Sequence, residues 1–488
     1  MACRTSSRLT FTPRHSHSRC IFMCLLLMFA TCGLASAEVP KPKTSACAPT
    51  EDDAGSSFDA SVDIHALSNY SKAIYALFQA RQFGQLDCIA DSARMGKETF
   101  AGGMWKIHAI YAGLGTPPLH PTEQDWVAHI GLLQRWVAAR PESITARIAL
   151  ATTYANYGAD ARGKGMADTV SESGWKLLAE RSAKARQILE KASTLRAKDP
   201  EWYVAMQQVA LLQQWEPAEK QALLEKAMQF EPAYYYYYRM YGFSILPKWG
   251  GEDGEVADFL QKTADKIGGD AGDEVYFRVA GYLFCGCASD LELKLSWSRI
   301  QKGFDAVEKQ YGPAPANLNQ LAHMAVTFND PVVAGKAFAR IGDQWDKETW
   351  ETSENYESYK EWAKQAGLIV AKKQVAEDSA EANVRTAEGR RYNAAFDEVI
   401  HTWVRQCMEE IGGADPGKFE LLIKVGKDGT IAEMNGSPAS SFPFTNCLGS
   451  KMNNFRASEK VVFPPPPQPD YWVLYHLNPE NTPSAALK

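Results

Sequence analysis

The sequence predicts a mainly α chain in which short antiparallel helix pairs stack along the molecule, followed by a small α+β domain with a short antiparallel sheet. Three observations carry this. Apolar residues recur at three- and four-residue intervals from about residue 59 to about residue 412. The block Leu-Glu-Lys-Ala occurs twice, starting at Leu189 and Leu224, 35 residues apart. Beyond residue 418 the apolar period drops to two, as in "KFELLIKVGKDGTIAEM".

At the N-terminus, Arg4, Arg8, Arg14 and Arg19 precede the apolar run "CIFMCLLLMFATCGLASA", and no acid lies before Glu38. Basic head, apolar centre and the ending Ala35-Ser36-Ala37 predict a secretory signal over 1–37, cut between Ala37 and Glu38. The rival is a retained anchor, although a membrane span needs roughly 20 apolar residues. Removing the signal leaves 48 basic and 58 acidic residues, so the net charge moves from −6 to −10. Six cysteines remain: Cys47, Cys88, Cys285, Cys287, Cys407 and Cys447. An even number in an exported, periplasmic or secreted chain predicts disulfides, with the pairing open. Residues 38–58, rich in Pro, Ser and acids, read as a flexible leader.

The helical array is expected over 59–395. "NYSKAIYALFQARQ", "PTEQDWVAHIGLLQRWVAARP", "ESITARIALATTYANYG" and "SWSRIQKGFDAVEKQYG" each carry a helical stripe bounded by Pro or Gly. Both repeat copies continue from Leu-Glu-Lys-Ala to an acid-Pro pair, Asp199-Pro200 and Glu231-Pro232, with Tyr three residues past the proline. A period in the mid-thirties predicts a tetratricopeptide-like α-solenoid, because one pair cannot bury its own apolar face and must stack on the next. Stacking curves the array and leaves a concave side.

"EPAYYYYYRMYGFSILPKWGGEDGE" belongs to this array. On a helix opened by Pro232, successive residues advance about 100°, so Tyr234–Tyr238 point all round the axis and mostly pack between neighbours. Their hydroxyls suit a groove edge. Trp202, Tyr203, Tyr234, Tyr238, Tyr241 and Trp249 are the candidate partner-binding residues on the concave side.

The segment from about Pro117 to Gly286 resembles, in blocks, a bacterial family catalogued as domain of unknown function 4034. Ala161-Arg162-Gly163, Ala167-Asp168-Thr169-Val170 and Leu246-Pro247-Lys248-Trp249-Gly250-Gly251 carry the likeness; the family more often has Arg and Tyr at positions 248 and 250. It implies a helical repeat fold and no activity.

Residues 396–479, ahead of a tail at 480–488, read as helix, strand, hairpin turn at Lys427-Asp428-Gly429, helix, the polyproline stretch "VVFPPPPQPD" and the strand "YWVLYHL". This resembles the C-terminal domain of TonB-type energy transducers and related gliding-motility proteins. The resemblance implies peptide docking by strand addition. Unlike a transducer, this chain has a helical array and a cleavable signal in place of an anchor and Pro-rich spacer. Cys407, in the first helix of that module, and Cys447, in the second, are placed to be joined.

An acidic chain without a Lys/Arg-rich run is poorly suited to nucleic acid. The sequence has no G-x-S-x-G, H-E-x-x-H, phosphate loop or dinucleotide glycine fingerprint. "GGEDGE" and "GGDAGDE" lack the alternating ligands of a calcium loop, and neither a cofactor nor a metal is expected. The expected function is that of a non-catalytic, exported scaffold for protein or peptide partners, touching membranes only through envelope partners or an uncleaved signal. The alternatives are an accessory subunit of a TonB-like envelope transport or motility system, and an unrecognised envelope hydrolase.

Overall fold

The computed structural model describes residues 47–49, 57–117, 121–163, 165, 167–284, 294–410, 412, 419–436, 442–458 and 460–477. The signal with its Ala37–Glu38 junction, nearly all of the leader, Cys285, Cys287 and the tail lie outside these residues. No helix among the described residues is long and apolar enough to cross a membrane.

The helices run α1 Ala66–Gln79, α2 Phe83–Met95, α3 Lys106–Leu114, α4 Glu123–Ala139, α5 Ile144–Arg162, α6 Glu172–Ala192, α7 Glu201–Leu212, α8 Pro217–Phe230 and α9 Tyr236–Ser244. There follow α10 Glu255–Ile267, α11 Gly269–Phe284, α12 Trp297–Tyr311, α13 Pro315–Thr327, α14 Pro331–Ile341, α15 Lys347–Trp350, α16 Ser353–Arg385 and α17 Ala387–Glu410. Local chemistry sets the ends. The side chains of Thr122, Ser143, Ser171, Ser296, Asp330 and Thr352 accept from backbone N–H groups in the first turn of α4, α5, α6, α12, α14 and α16. Pro217, Pro315 and Pro331 occupy first-turn positions, where no intrahelical donor is lost.

From α1 to α13 each odd-numbered helix packs on the next odd one, and the even helices line the other side. That is the stacking of an α-solenoid. The two Leu-Glu-Lys-Ala blocks fall near the ends of α6 and α8, so α6–α7 and α8–α9 are the repeated pairs.

One expectation is corrected here. The inner side of the array is not an open hollow between α2 and α13, because the chain's own segment 94–108 fills it. Arg94 pairs with Asp199 at 2.8 Å and Lys97 with Glu231 at 2.6 Å, so each acid-Pro pair of the repeat meets a base from this segment. Trp105 stands edge-on to Tyr234, with ring centroids 5.0 Å apart. His108 stacks on Tyr236 at 3.6 Å and places Nδ1 3.2 Å from the Glu201 carboxylate. Deepest in, Arg278 of α11 donates from Nη2 to Gly102 O at 2.6 Å and from Nη1 to Asn317 Oδ1 at 3.2 Å. Its Nε reaches Glu274 at 3.3 Å, and Asn317 Nδ2 also donates to Gly102 O at 3.0 Å. Gly102 and Gly103 hold φ of 75° and 78°, and a Cβ on Gly103 would collide with Arg278 Nη2. Glycine is required there on both counts.

The tyrosine run is accounted for by this filling. Helix α9 starts at Tyr236 rather than at Pro232, and Tyr234 and Tyr235 sit in the preceding turn. All five rings are buried. Tyr234 donates to Glu201, and Tyr235 donates to the Tyr236 hydroxyl at 2.9 Å. The Tyr235 ring also lies near both the Arg239 and Arg278 guanidinium groups, at 4.5 and 4.7 Å. Tyrosine suits positions 234 and 235 because its face packs while its hydroxyl satisfies a buried polar partner, and the Tyr235 face also meets cations.

The C-terminal module adds β1 Phe419–Val425, β2 Ile431–Gly436, α18 Phe442–Ala457 and β3 Tyr471–Leu477. The antiparallel sheet has the order β2-β1-β3. Phe419, Leu421, Ile423 and Val425 face α17 and α18 together with Tyr471, Val473 and Tyr475. Leu422, Trp472 and Leu474 face Ala376 and Ala380 of α16 instead. Helix α16 therefore serves both parts: Tyr356 and Ala363 join the array's core and Ala376 and Ala380 join the module's. The expected boundary at 395/396 falls inside α17, and Tyr392 already belongs to the module's core. The Asp428-Gly429 turn meets the polyproline stretch, with Phe463 N donating to Gly429 O at 3.0 Å.

Two disulfides are present among the described residues. Cys407–Cys447 joins α17 to α18 with Cα atoms 5.7 Å apart, and Cys47–Cys88 ties the leader to α2 with Cα atoms 5.2 Å apart.

Replacing Arg278 by Met should cost about 3–5 kcal/mol, because Glu274 is left buried without its counter-charge. Denaturant unfolding measures this, and adding Glu274→Gln should return part of the loss. Thiol titration of the oxidised, native protein should find neither Cys407 nor Cys447 reactive. The pair Cys407→Ala/Cys447→Ala should lose up to about 4 kcal/mol in the stability of the module, the chain-entropy value for a loop of this length.

Candidate binding groove

Filling the inner side moves the available concavity to the flank around α8. Trp202, Tyr203, Met206, Leu223 and Phe230 line a largely apolar cleft of about 580 Å³ between the α6–α7 loop, α7 and α8. Trp202 is fixed by donating from Nε1 to Leu189 O at 2.8 Å and stands edge-on to Tyr203 at 5.1 Å. Tyr203 in turn packs on Phe230, ring centroids 5.6 Å apart, and Phe230 is 41 % exposed. The Trp215 side chain, in the α7–α8 turn, borders both this cleft and a second one of about 910 Å³.

Distant parts of the chain meet in the second cleft. Arg162 comes from the last turn of α5, Trp175 from the first turn of α6, Lys220 from α8, and Tyr241 from α9. Lys248 and Trp249 come from the short 3-10 turn Pro247–Trp249, which ends at Gly250 with φ 91°. The Arg162 guanidinium lies over two indoles, 5.4 Å from Trp175 and 5.9 Å from Trp249. Its Nη1 donates to the carbonyls of Gly163 and Gly165 at 3.0 and 2.9 Å. These contacts hold the guanidinium in place. Lys248 lies over Phe243 at 4.9 Å, and Phe243 packs on Trp249 at 5.8 Å. Beyond Tyr241 and Ile245 the cleft continues between α8 and α10 as a lobe of about 1000 Å³.

Of the six candidate partner-binding residues, Trp202 and Tyr203 line the apolar cleft, and Tyr241 and Trp249 line the larger one. Tyr234 and Tyr238 do not: both are 0 % exposed, the first bound to Glu201 and the second donating to Pro232 O at 3.0 Å. They are core residues, because the turn before α9 drives them into the filled interior. The residues missed were Arg162, Trp175, Trp215, Lys220 and Lys248. The blocks Ala161-Arg162-Gly163 and Leu246–Gly251 contained two of them, Arg162 and Lys248, but no spacing along the chain shows that they converge.

The acids of the interior are held by partners. Asp199 accepts from Arg94, from the Tyr111 hydroxyl at 2.8 Å and from Glu201 N at 2.9 Å. No group of three or more His, Cys, Asp or Glu among the described residues is arranged to hold a metal ion.

Comparison with protein-family models, with curated proteins and with solved structures finds no match to this chain. The likenesses to domain of unknown function 4034 and to TonB-type C-terminal domains rest on the residues quoted for them.

Proposed function

We propose that this chain is an exported, non-catalytic binding protein whose helical array holds a protein or peptide partner in the groove flanking α8. The observation that carries this reading is the groove itself. It is long, open and rich in indole and phenyl faces, and it is built by side chains that α5 to α10 hold in fixed positions. Aromatic side chains presented on rigid elements are the usual anchors of a protein interface. Two disulfides and the absence of a membrane-crossing helix among the described residues are compatible with an oxidising compartment outside the cytoplasm.

The C-terminal module supports a second attachment. Strand β2 is an edge of the sheet and its residues are mostly exposed, whereas at the β3 edge Asn383 of α16 already donates to Trp472 O at 3.0 Å. An added strand fits the β2 side, where Met434, Phe444, Leu448 and Met452 line an apolar cleft of about 200 Å³. This favours, as a second reading, an accessory role in an envelope transport or motility system.

Crosslinked co-purification from the native envelope tests the first reading. Trp249→Ala and Phe230→Ala remove exposed rings, so each should cut partner recovery by about tenfold while shifting the melting temperature by no more than about 2 °C. Undiminished recovery with both variants combined would refute binding at this groove.

A further inference from the structure

Three basic side chains, Arg162, Lys220 and Lys248, line the same cleft, and none has a carboxylate partner among the described residues. Elsewhere on the array some exposed cations are paired: Lys294 with Asp253 at 2.9 Å, Lys309 with Asp270 at 2.6 Å, Arg340 with Glu308. In a chain with 58 acidic and 52 basic residues, a cleft lined by three bases and two acids runs against composition. Of the two acids that also line the cleft, Glu255 is turned to the backbone, accepting from Glu252 N at 2.8 Å.

We propose that the Arg162 end of the groove is an anion site that takes an acidic side chain of an extended peptide, with neighbouring apolar side chains of that peptide lying on Trp175, Trp215 and Trp249. This rests on the reading of the groove as a partner site and specifies the partner's chemistry. The Arg162 guanidinium lies near two indoles and is anchored through Nη1 to two carbonyls, so it is held in place before a ligand arrives. A planar fork in that state suits a carboxylate, which accepts two parallel N–H bonds. Lys220 and Lys248 add two mobile ammonium groups from other elements, which suits a second acid of the same segment. The occupant is a peptide rather than a compact anion because the cleft runs on past Tyr241 between α8 and α10. An extended chain follows such a groove; an isolated anion would leave the indoles uncovered.

The test uses the full exported chain and two dye-labelled peptides of one length, alternating Glu with Leu in the first and Gln with Leu in the second. Fluorescence anisotropy at two salt concentrations gives the affinities. The Glu peptide should bind at least about tenfold tighter than the Gln peptide, the difference shrinking at high salt. Lys220→Gln/Lys248→Gln should remove about tenfold from the Glu peptide alone. Arg162→Gln should do the same, and the double lysine variant keeps the test valid if Arg162→Gln unfolds. Equal binding of the two peptides, no binding of either, or a Glu-peptide affinity indifferent to the lysine substitutions would overturn the anion site. So would binding confined to vesicles containing an anionic phospholipid. If native-partner recovery still depends on Trp249 and Phe230 in those cases, the groove reading survives and only the acidic specificity fails.

Discussion

A single buried guanidinium determines how this array is closed. Arg278 reaches from α11 to the carbonyl of Gly102, more than 170 residues away in sequence, while Glu274 balances its charge and Asn317 bonds to both Arg278 and Gly102. Such a contact exists only if the two glycines beside it adopt positive φ and carry no side chain. Once made, it seats segment 94–108 along the inner side. Arg94, Lys97, Trp105 and His108 then meet Asp199, Glu231, Tyr234 and Tyr236 in turn. A charge this deep is tolerable only with its full set of partners, which makes the closure nearly all-or-none.

The closure has a functional consequence. A solenoid with an open inner side offers that side to ligands, but here the chain occupies it with its own rings. The polar repeat signature Asp199-Pro200 and Glu231-Pro232 is spent on internal ion pairs. What stays accessible is the flank around α8, where the α9–α10 turn swings Lys248 and Trp249 toward Arg162. The same tyrosine run thus supports the site indirectly: by filling the interior it fixes α9 and the turn that follows.

Much of this was legible in the chain. The stripes of α1, α4, α5 and α12, the proline-led starts, the alternation in β1 and the Lys427-Asp428-Gly429 turn all act over a few residues, where periodicity and turn chemistry decide the outcome. The Cys407–Cys447 bond follows from the two helices that carry them being neighbours in the module. The unread part is long-range. Nothing near Gly102 announces Arg278, and nothing near Cys47 announces Cys88, because such pairings depend on how many helix pairs intervene and how far each rotates. Tyr234 and Tyr238 were placed on a binding surface for the same reason. Their periodicity shows burial on every side, but the ring that packs on Tyr234 is 129 residues upstream at Trp105. Nor does local pattern show that α16 runs unbroken for 33 residues to serve two cores.

The closure can be measured directly by native-state hydrogen exchange at the amides of Phe100, Gly103 and Lys106, which bond to Met104, Phe100 and Glu98 within the inserted segment. If segment 94–108 fills the array, these amides exchange only with the global unfolding of the helical body, as slowly as those in the middle of α11. Exchange at the rate of an exposed loop, with α11 still protected, would mean that the inner side is open and that the groove at α8 is not the only concavity a partner could enter.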